Sequence, residues 1–343
     1  RRSFILRDMA FTVDFYEQGR KNVRKTIVLV VVFLVMMAAF GLIIDIIFGI
    51  LPIFTLIFLV VALVQLLISL SSGKEIVLKS VRAREARQDD PEERQLKNIV
   101  DELSLAAGMA KPPEIYVVDD DAVINAFATG RKSEDSVICV TSGLLKQLDR
   151  EETSGVIGHE LSHIVNRDIL IMTLISALLG AVVIIQLMAF RALITYVRFG
   201  AFGAATRSRR SSKKGDNSTL VILAFLAAVA GLGAVFSFIG RLSLLAVSRT
   251  REYFADARAV ELTRNPVGLS RALRKIVTDS QKMKTANIAT AHLFISDPLK
   301  RHINNKSSFF ASLWSTHPPI AMRISILENR SLKEVESELT SYL

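Results

Sequence analysis

A helical membrane protein with four transmembrane helices, joined to a mainly α, α+β domain with a small β-sheet, is the fold class this sequence predicts. Three observations carry the prediction. Half of the 343 residues are hydrophobic, and the excess is concentrated in four runs, 26–48, 52–71, 169–190 and 219–240, where Asp45 is the one charged residue. Short alternating segments of strand type lie between the second and third runs. Residues 159–163 read H-E-x-x-H inside a stretch of helical periodicity.

Each run has about 20 residues or more, enough at about 1.5 Å per residue to cross a hydrocarbon core of about 30 Å. Core helices of a large soluble protein can be equally apolar, but four in one chain do not fit that reading. The first run is too long for a signal-peptide core, lacks a small-residue cleavage site and is followed almost at once by a second. Cys139 is the only cysteine, which excludes a disulfide framework and a cysteine-based metal site. The net charge of +10 does not point to nucleic acid, because basic residues flank the apolar runs. Arg20, Lys21, Arg24 and Lys25 precede the first run, and Lys74, Lys79, Arg82, Arg84 and Arg87 follow the second. The positive-inside rule then places the N-terminus and residues 72–168 in the cytoplasm. The loop 191–218 opposes this, with seven basic residues against Asp216 alone. The dominance of the first helices, and further basic residues on the cytoplasmic side at Arg167, Arg241, Arg249 and Arg251, decide the orientation.

In chain order, the expectation is a cytoplasmic segment 1–25, a transmembrane hairpin 26–71, a cytoplasmic domain 72–168, a third span 169–190, a flexible basic loop 191–218, a fourth span 219–241 and a second domain part 242–343. Within these, a charged helix is expected over 74–108, then strands at 114–118, 123–130 and 136–141 and a short helix at 142–148. Asp149 and Glu152 form a capping-box pattern. The helix they open carries the H-E-x-x-H and is expected to run straight into the third span. The fourth span is expected to continue to 262, where Asn265-Pro266 stops it. An amphipathic helix follows at 266–283, and two helices close the chain, 319–329 opened by Pro318-Pro319 and 331–342 opened by Ser331 and Glu334.

On a helix, His159 and His163 share a face and can reach one metal ion, which leaves Glu160 beside the water that the metal activates. A catalytic zinc takes three protein ligands and keeps one position open. The E-x-x-x-D of Glu252 and Asp256 offers the third ligand and an acceptor for a ligand histidine's second N–H. Alone, that pattern is equally a solvated helix face with ordinary ion pairs; the H-E-x-x-H decides for the metal. The pattern is that of a zincin-like metalloprotease domain with one Zn2+ per chain.

The chain resembles the HtpX-type heat-shock proteases and, more distantly, the type-1 CAAX prenyl proteases. The matching segments are F-Y-E-Q (15–18), N-A-F-A-T-G (125–130), V-T-S-G-L-L (140–145), H-E-L-S-H-I-V-N-R-D (159–168), S-R-T-R-E-Y-F-A-D (248–256) and S-T-H-P-P-I-A-M-R-I (315–324), in that order. The resemblance implies a multi-pass zinc metalloendopeptidase of a prokaryotic plasma membrane. It implies His159, His163 and Glu252 as zinc ligands, Glu160 as catalytic base and Asp256 as the carboxylate behind them. It also implies catalytic roles for His317 and Arg323, in an H-P-x-x-x-x-R that sits close to the metal. His317 reads equally well as a capping histidine beside two prolines.

Polypeptides, above all misfolded or damaged membrane proteins, are the expected substrates, and the lipid bilayer is the expected partner. The 123–130 strand is expected to be an exposed edge that adds a substrate strand through main-chain hydrogen bonds. Asn125, Ala126, Phe127 and Ala128 would then line the cleft. Main-chain binding gives weak sequence specificity, which suits quality control. Two other readings fare worse. A structural zinc site does not need Glu160 and is closed by four protein ligands. A transporter would carry ionisable residues inside the spans, and runs two to four have none.

Overall fold

The computed structural model of the chain describes residues 15–49, 52–174, 178, 186–188, 190–195, 197–198, 216–278, 283, 293–296 and 318–342. The described residues are mostly helical, with one four-stranded mixed sheet. Two long helices open the chain, α1 (Phe15–Phe48) and α2 (Ile53–Ser80). Asp45 closes the turn between them: its carboxylate accepts the backbone N–H groups of Phe54 and Thr55 at 2.8 and 2.9 Å and the Thr55 hydroxyl at 2.7 Å. An acid inside an apolar run thus satisfies the first turn of the next helix. Gly41 permits this close return, since a Cβ there would lie 2.4 Å from the Thr55 Cα. Phe40 and Phe58 meet edge to face at 4.5 Å between the helices.

The outer surfaces of α1 and α2 are apolar, with Val28, Val35, Ile46, Leu56, Val60 and Leu67 all exposed. Among the described residues one helix, α2, is long and apolar enough to cross a membrane, and Val30–Ile46 and Leu226–Val235 are shorter apolar stretches. Half of the third run lies outside the described residues.

The single charged helix expected over 74–108 is instead three elements. The backbone of α2 departs from helical geometry at Ser72 (φ −130°), where the apolar run ends, and the helix resumes to Ser80. Arg82 then turns the chain with φ +57°, Arg84–Glu85 form the short strand β1, and α3 spans Pro91–Ala106. Pro91 cannot continue a helix but can start one, and Asp90 caps α3 by accepting from Glu92 and Glu93. Arg84 pins this corner to Glu93 at 2.6 Å and Asp119 at 2.8 Å.

Strand β2 (Glu114–Val118) lies where the alternation predicts it. The expected strand at 123–130 is shorter, β3 being Ala126–Thr129. The Thr141 hydroxyl takes the place of a main-chain partner for Asn125 N–H at 3.0 Å, and Gly130, at φ +138°, ends the strand. Strand β4 (Val137–Thr141) leads into α4 (Ser142–Gln147). The sheet order is β1-β2-β4-β3, with β2 and β4 parallel and the outer pairs antiparallel.

Helix α5 (Arg150–Val165) has the full capping box of Asp149 and Glu152. It packs on one face of the sheet, where Val156, Ile157, Leu161 and Ile164 meet Ala126, Ile138 and Val140. The other face rests on Val77, Leu78 and Val81 at the end of α2, together with Phe127 and Cys139. Burial raises the Cys139 thiol well above its usual range, so it is an inert core residue.

The expected continuity of α5 with the third run does not hold. Asn166 caps α5, Arg167 adopts φ +56°, and helical backbone restarts only at 168. Helix α6 (Asp216–Thr263), in contrast, carries the fourth run and the E-x-x-x-D on one axis. Among the described residues three shorter helices follow, α7 (Pro266–Thr278), α8 (Ile320–Leu327) and α9 (Leu332–Tyr342). Gly155 lets α7 close on α5, since a Cβ there would meet the Leu269 backbone at 2.7 Å.

Arg274 of α7 holds Glu328, at the end of α8, and Glu338 of α9. The Arg274 hydrogen bond lowers the Glu328 pKa to about 2. A depressed carboxylate contributes stability that is complete above its unfolded value and is lost as pH falls through the folded value. The Glu328 contribution should therefore disappear between pH about 4.5 and about 2. Glu328→Gln should lower stability by about 1–3 kcal/mol at pH 7 and by much less at pH 2, as measured by thermal unfolding in detergent.

Candidate metal centre

Two helices bring the ligand candidates together. On α5, His159 and His163 stand one turn apart with ring centroids 4.9 Å from each other. On α6, Glu252 and Asp256 stand one turn apart and face them. The helices pack closely because Gly158 of α5 faces Ala259 of α6, a Cβ at 158 falling 3.3 Å from the Ala259 Cα. The metal-facing atoms converge. His159 Nε2 and His163 Nε2 are 3.3 Å apart, and each is 3.6 Å from an oxygen of Glu252. Ligands about 2.05 Å from a tetrahedral zinc lie about 3.3 Å from one another, so the donor set and its spacing fit that ion. All three residues offer donor atoms within 4.8 Å of one another.

The ring orientations have identifiable causes. His159 Nδ1 lies 2.9 Å from Asp256. A carboxylate accepts and cannot donate, so the proton belongs on Nδ1 and the Nε2 lone pair faces Glu252 and His163. His163 Nδ1 meets Asp168 in the same way, at 3.3 Å. Arg323, 0% exposed, forks onto Asp256 at 2.6 and 2.8 Å. It also lies 3.3 Å from His159 Nδ1 and 3.8 Å from Glu252. Burial alone would raise the Asp256 pKa, but the Arg323 charge reverses this and holds the carboxyl ionised. For His159, burial and the Arg323 charge press the pKa down, while Asp256 and Glu252 carry it up to about 9. A metal ion therefore displaces a proton from His159 as it binds.

Glu160 is buried and opens, with the three ligand candidates, onto one pocket. The other walls are Ala128, Ile169, Met172, Leu293 and Ile295. Of the four strand residues expected to line the cleft, Ala128 alone does so. Phe127 points to the opposite face of the sheet and packs on Phe294 at 4.8 Å. Asn125 is buried, and its side chain clasps Ser296 while taking the Ala126 N–H. The edge of β3 is not fully open either, because Ala126 C=O accepts the Ile295 N–H at 3.0 Å. Ala128 lies two residues on and, by alternation, turns its N–H and C=O to that same edge. Arg323 is not a pocket wall but stands behind the ligands. His317 lies outside the described residues.

Sequence reasoning missed Asp168, Arg251 and the 293–296 segment. Arg251 donates to Asp168 at 3.2 Å. The local signal for Asp168 was its place at the end of the H-E-L-S-H-I-V-N-R-D segment; the 293–296 contact has no local signal.

Arg323→Leu should leave the buried Asp256 carboxylate without its guanidinium, with His159 still beside it, and cost about 3–5 kcal/mol. Calorimetry of the metal-free protein would measure this, and adding Asp256→Leu should recover much of the loss.

Comparisons with known proteins give the chain its family. Residues 90–331 match the sequence pattern of peptidase family M48. A "Protease HtpX homolog" of Thermoanaerobacter pseudethanolicus is 37% identical over 329 residues, covering 92% of this chain and 98% of that protein. A "Protease HtpX homolog" of Caldanaerobacter subterraneus subsp. tengcongensis is 38% identical over 323 residues, with 92% and 98% covered. Among solved structures, Ste24p of S. mikatae has a TM-score of 0.45 at 20% identity, covering 91% of this chain and 67% of that one. With the family pattern spanning most of the chain and relatives matching nearly end to end, the chain belongs to peptidase family M48, among its HtpX-type metallopeptidases.

Proposed function

We propose that this chain is a membrane-embedded zinc metalloendopeptidase that cleaves misfolded or damaged membrane proteins at the cytoplasmic face. The observation that carries the reading is the meeting of His159 Nε2, His163 Nε2 and Glu252 at 3.3–3.6 Å, with Glu160 on the same pocket. Zinc held there supplies Lewis-acid activation of water and of the scissile carbonyl. Glu160 takes the water's proton and delivers it to the leaving amine. Asp256 keeps the His159 lone pair turned inward, and Arg323 keeps Asp256 ionised. His317 is assigned a place beside the reacting carbonyl by the H-P-x-x-x-x-R resemblance alone.

The substrate binds extended along the β3 edge, where the main chain of Ala128 offers a donor and an acceptor beside the pocket. Recognition through main-chain groups is tolerant of sequence, which matches a quality-control role. The walls Ile169, Met172, Leu293 and Ile295 exclude water from the reacting groups. The runs 26–48, 52–71, 169–190 and 219–240 form four spans of a prokaryotic plasma membrane, and the segments 72–168 and 242–343 form the cytoplasmic protease domain. The exposed apolar surfaces of α1 and α2 support contact with lipid.

Two experiments test this. Glu160→Gln should retain one zinc per chain and lower cleavage of casein or of an unfolded membrane protein by about 10²–10⁴-fold, whereas Glu252→Ala should lose the metal by elemental analysis. Cleavage by Glu160→Gln near the wild-type rate would remove Glu160 as the base. For topology, after Cys139→Ser, a cysteine at Lys213 should react with a membrane-impermeant maleimide on intact cells, and one at Lys111 should react only after lysis. The reverse pattern would invert the orientation.

A further inference from the structure

The two histidines of the metal centre are held from different places. Asp256, behind His159, belongs to the helix that also supplies Glu252. Asp168, behind His163, lies beyond the break at Asn166 and Arg167, at the start of the helical segment that enters the third apolar run. It is 2% exposed, and its two oxygens are divided: Oδ2 faces His163 Nδ1 at 3.3 Å and Oδ1 accepts from Arg251 at 3.2 Å. Arg251 precedes Glu252 on α6 and is itself buried. The 168–174 segment is fastened to the sheet by Thr173, whose hydroxyl meets the Thr129 hydroxyl at 2.9 Å and the Gly130 main chain at 3.2 Å. Asp168 is thus fixed by neighbours on both sides.

We propose that Asp168 is a positioning residue for the metal centre: pinned by Arg251, it fixes the tautomer and orientation of His163, and so ties zinc affinity to the seating of the 168–174 segment against α6. The proposal rests on the metal-centre reading above. Its physical basis is that a carboxylate paired with a guanidinium offers acceptors only, on both of its oxygens. That requires the proton on His163 Nδ1 and leaves Nε2 as the metal donor.

The same logic gives a signature that simple packing does not. In Asp168→Asn, Arg251 claims the amide oxygen, and the amide NH2 then faces His163 Nδ1. The ring is driven to the tautomer with its proton on Nε2, which blocks the metal. Asp168→Ala removes the acceptor but imposes no wrong tautomer. The zinc affinity of the full-length chain, stripped and measured by chelator competition in detergent, should therefore fall in the order wild type, Asp168→Ala, Asp168→Asn. The Asn variant should lose about 10–100-fold, while the metal-free protein still unfolds cooperatively, at a lower temperature because the buried Arg251 loses its counter-ion. A packing role predicts the opposite order, because Asn is the isostere. Adding Arg251→Leu to Asp168→Asn should restore part of the affinity, since the amide can then turn its oxygen to His163. This arm decides the question if the Ala variant does not fold. Wild-type affinity in Asp168→Asn, an Ala variant weaker than Asn, or loss of the metal-free fold in Asp168→Asn would overturn the proposal. His159→Ala run in parallel separates the two readings: if it too binds zinc as wild type does, the metal centre itself is wrong, and otherwise Asp168 alone is.

Discussion

A carboxylate that is 4% exposed has little water to stabilise its charge, and Asp256 is such a carboxylate. Its charge persists because Arg323, wholly buried, is forked onto it. The rest of the centre depends on that ion pair. Without ionised Asp256, His159 has no fixed tautomer, and without a fixed tautomer its Nε2 is not reliably turned toward Glu252. Buried ion pairs add little to stability compared with apolar replacements, so the pair is best understood as a means of orientation. The cost of burying these charges is borne by the packing of α5 between the sheet and α7.

That packing is close because small residues stand at the crossings. Gly155 meets Leu269, and Gly158 meets Ala259. The ligand helix is therefore gripped from both sides by backbone, and its histidines have little room to drift. The sheet has a different task. Its edge strand is partly engaged by the chain's own 293–296 segment, and the outward main chain of Ala128 lies beside the pocket.

Much of the centre was legible in the sequence because its signals are local. The capping box of Asp149 and Glu152, the i, i+4 spacing of His159 with His163 and the same spacing of Glu252 with Asp256 all follow from helical periodicity. What was not legible comes from departures from periodicity. Asp168 is five residues past His163 and would lie on another face of a continuous helix; the left-handed Arg167 swings it back. Pro91, with Asp90 before it, split a charged stretch that composition alone read as one helix. The 293–296 segment reaches β3 from about 170 residues away, as the separation of Asn125 and Ser296 shows, and no local pattern encodes such a contact.

The break at Arg167 also separates two reference frames. With the 169–190 run in a bilayer, its tilt answers to the thickness of the hydrocarbon layer, because a span longer than the layer leans over. Were α5 the straight continuation of that span, any change in lean would rotate both imidazoles relative to Glu252. The left-handed residue acts as a joint: the direction of α5 is set by the sheet and by α7, and the 168–174 segment beyond it is seated separately, on the sheet through Thr173. His163 is thus held by Asp168 from across the joint, whereas His159 is held by Asp256 of α6, the helix that carries the fourth run without a break.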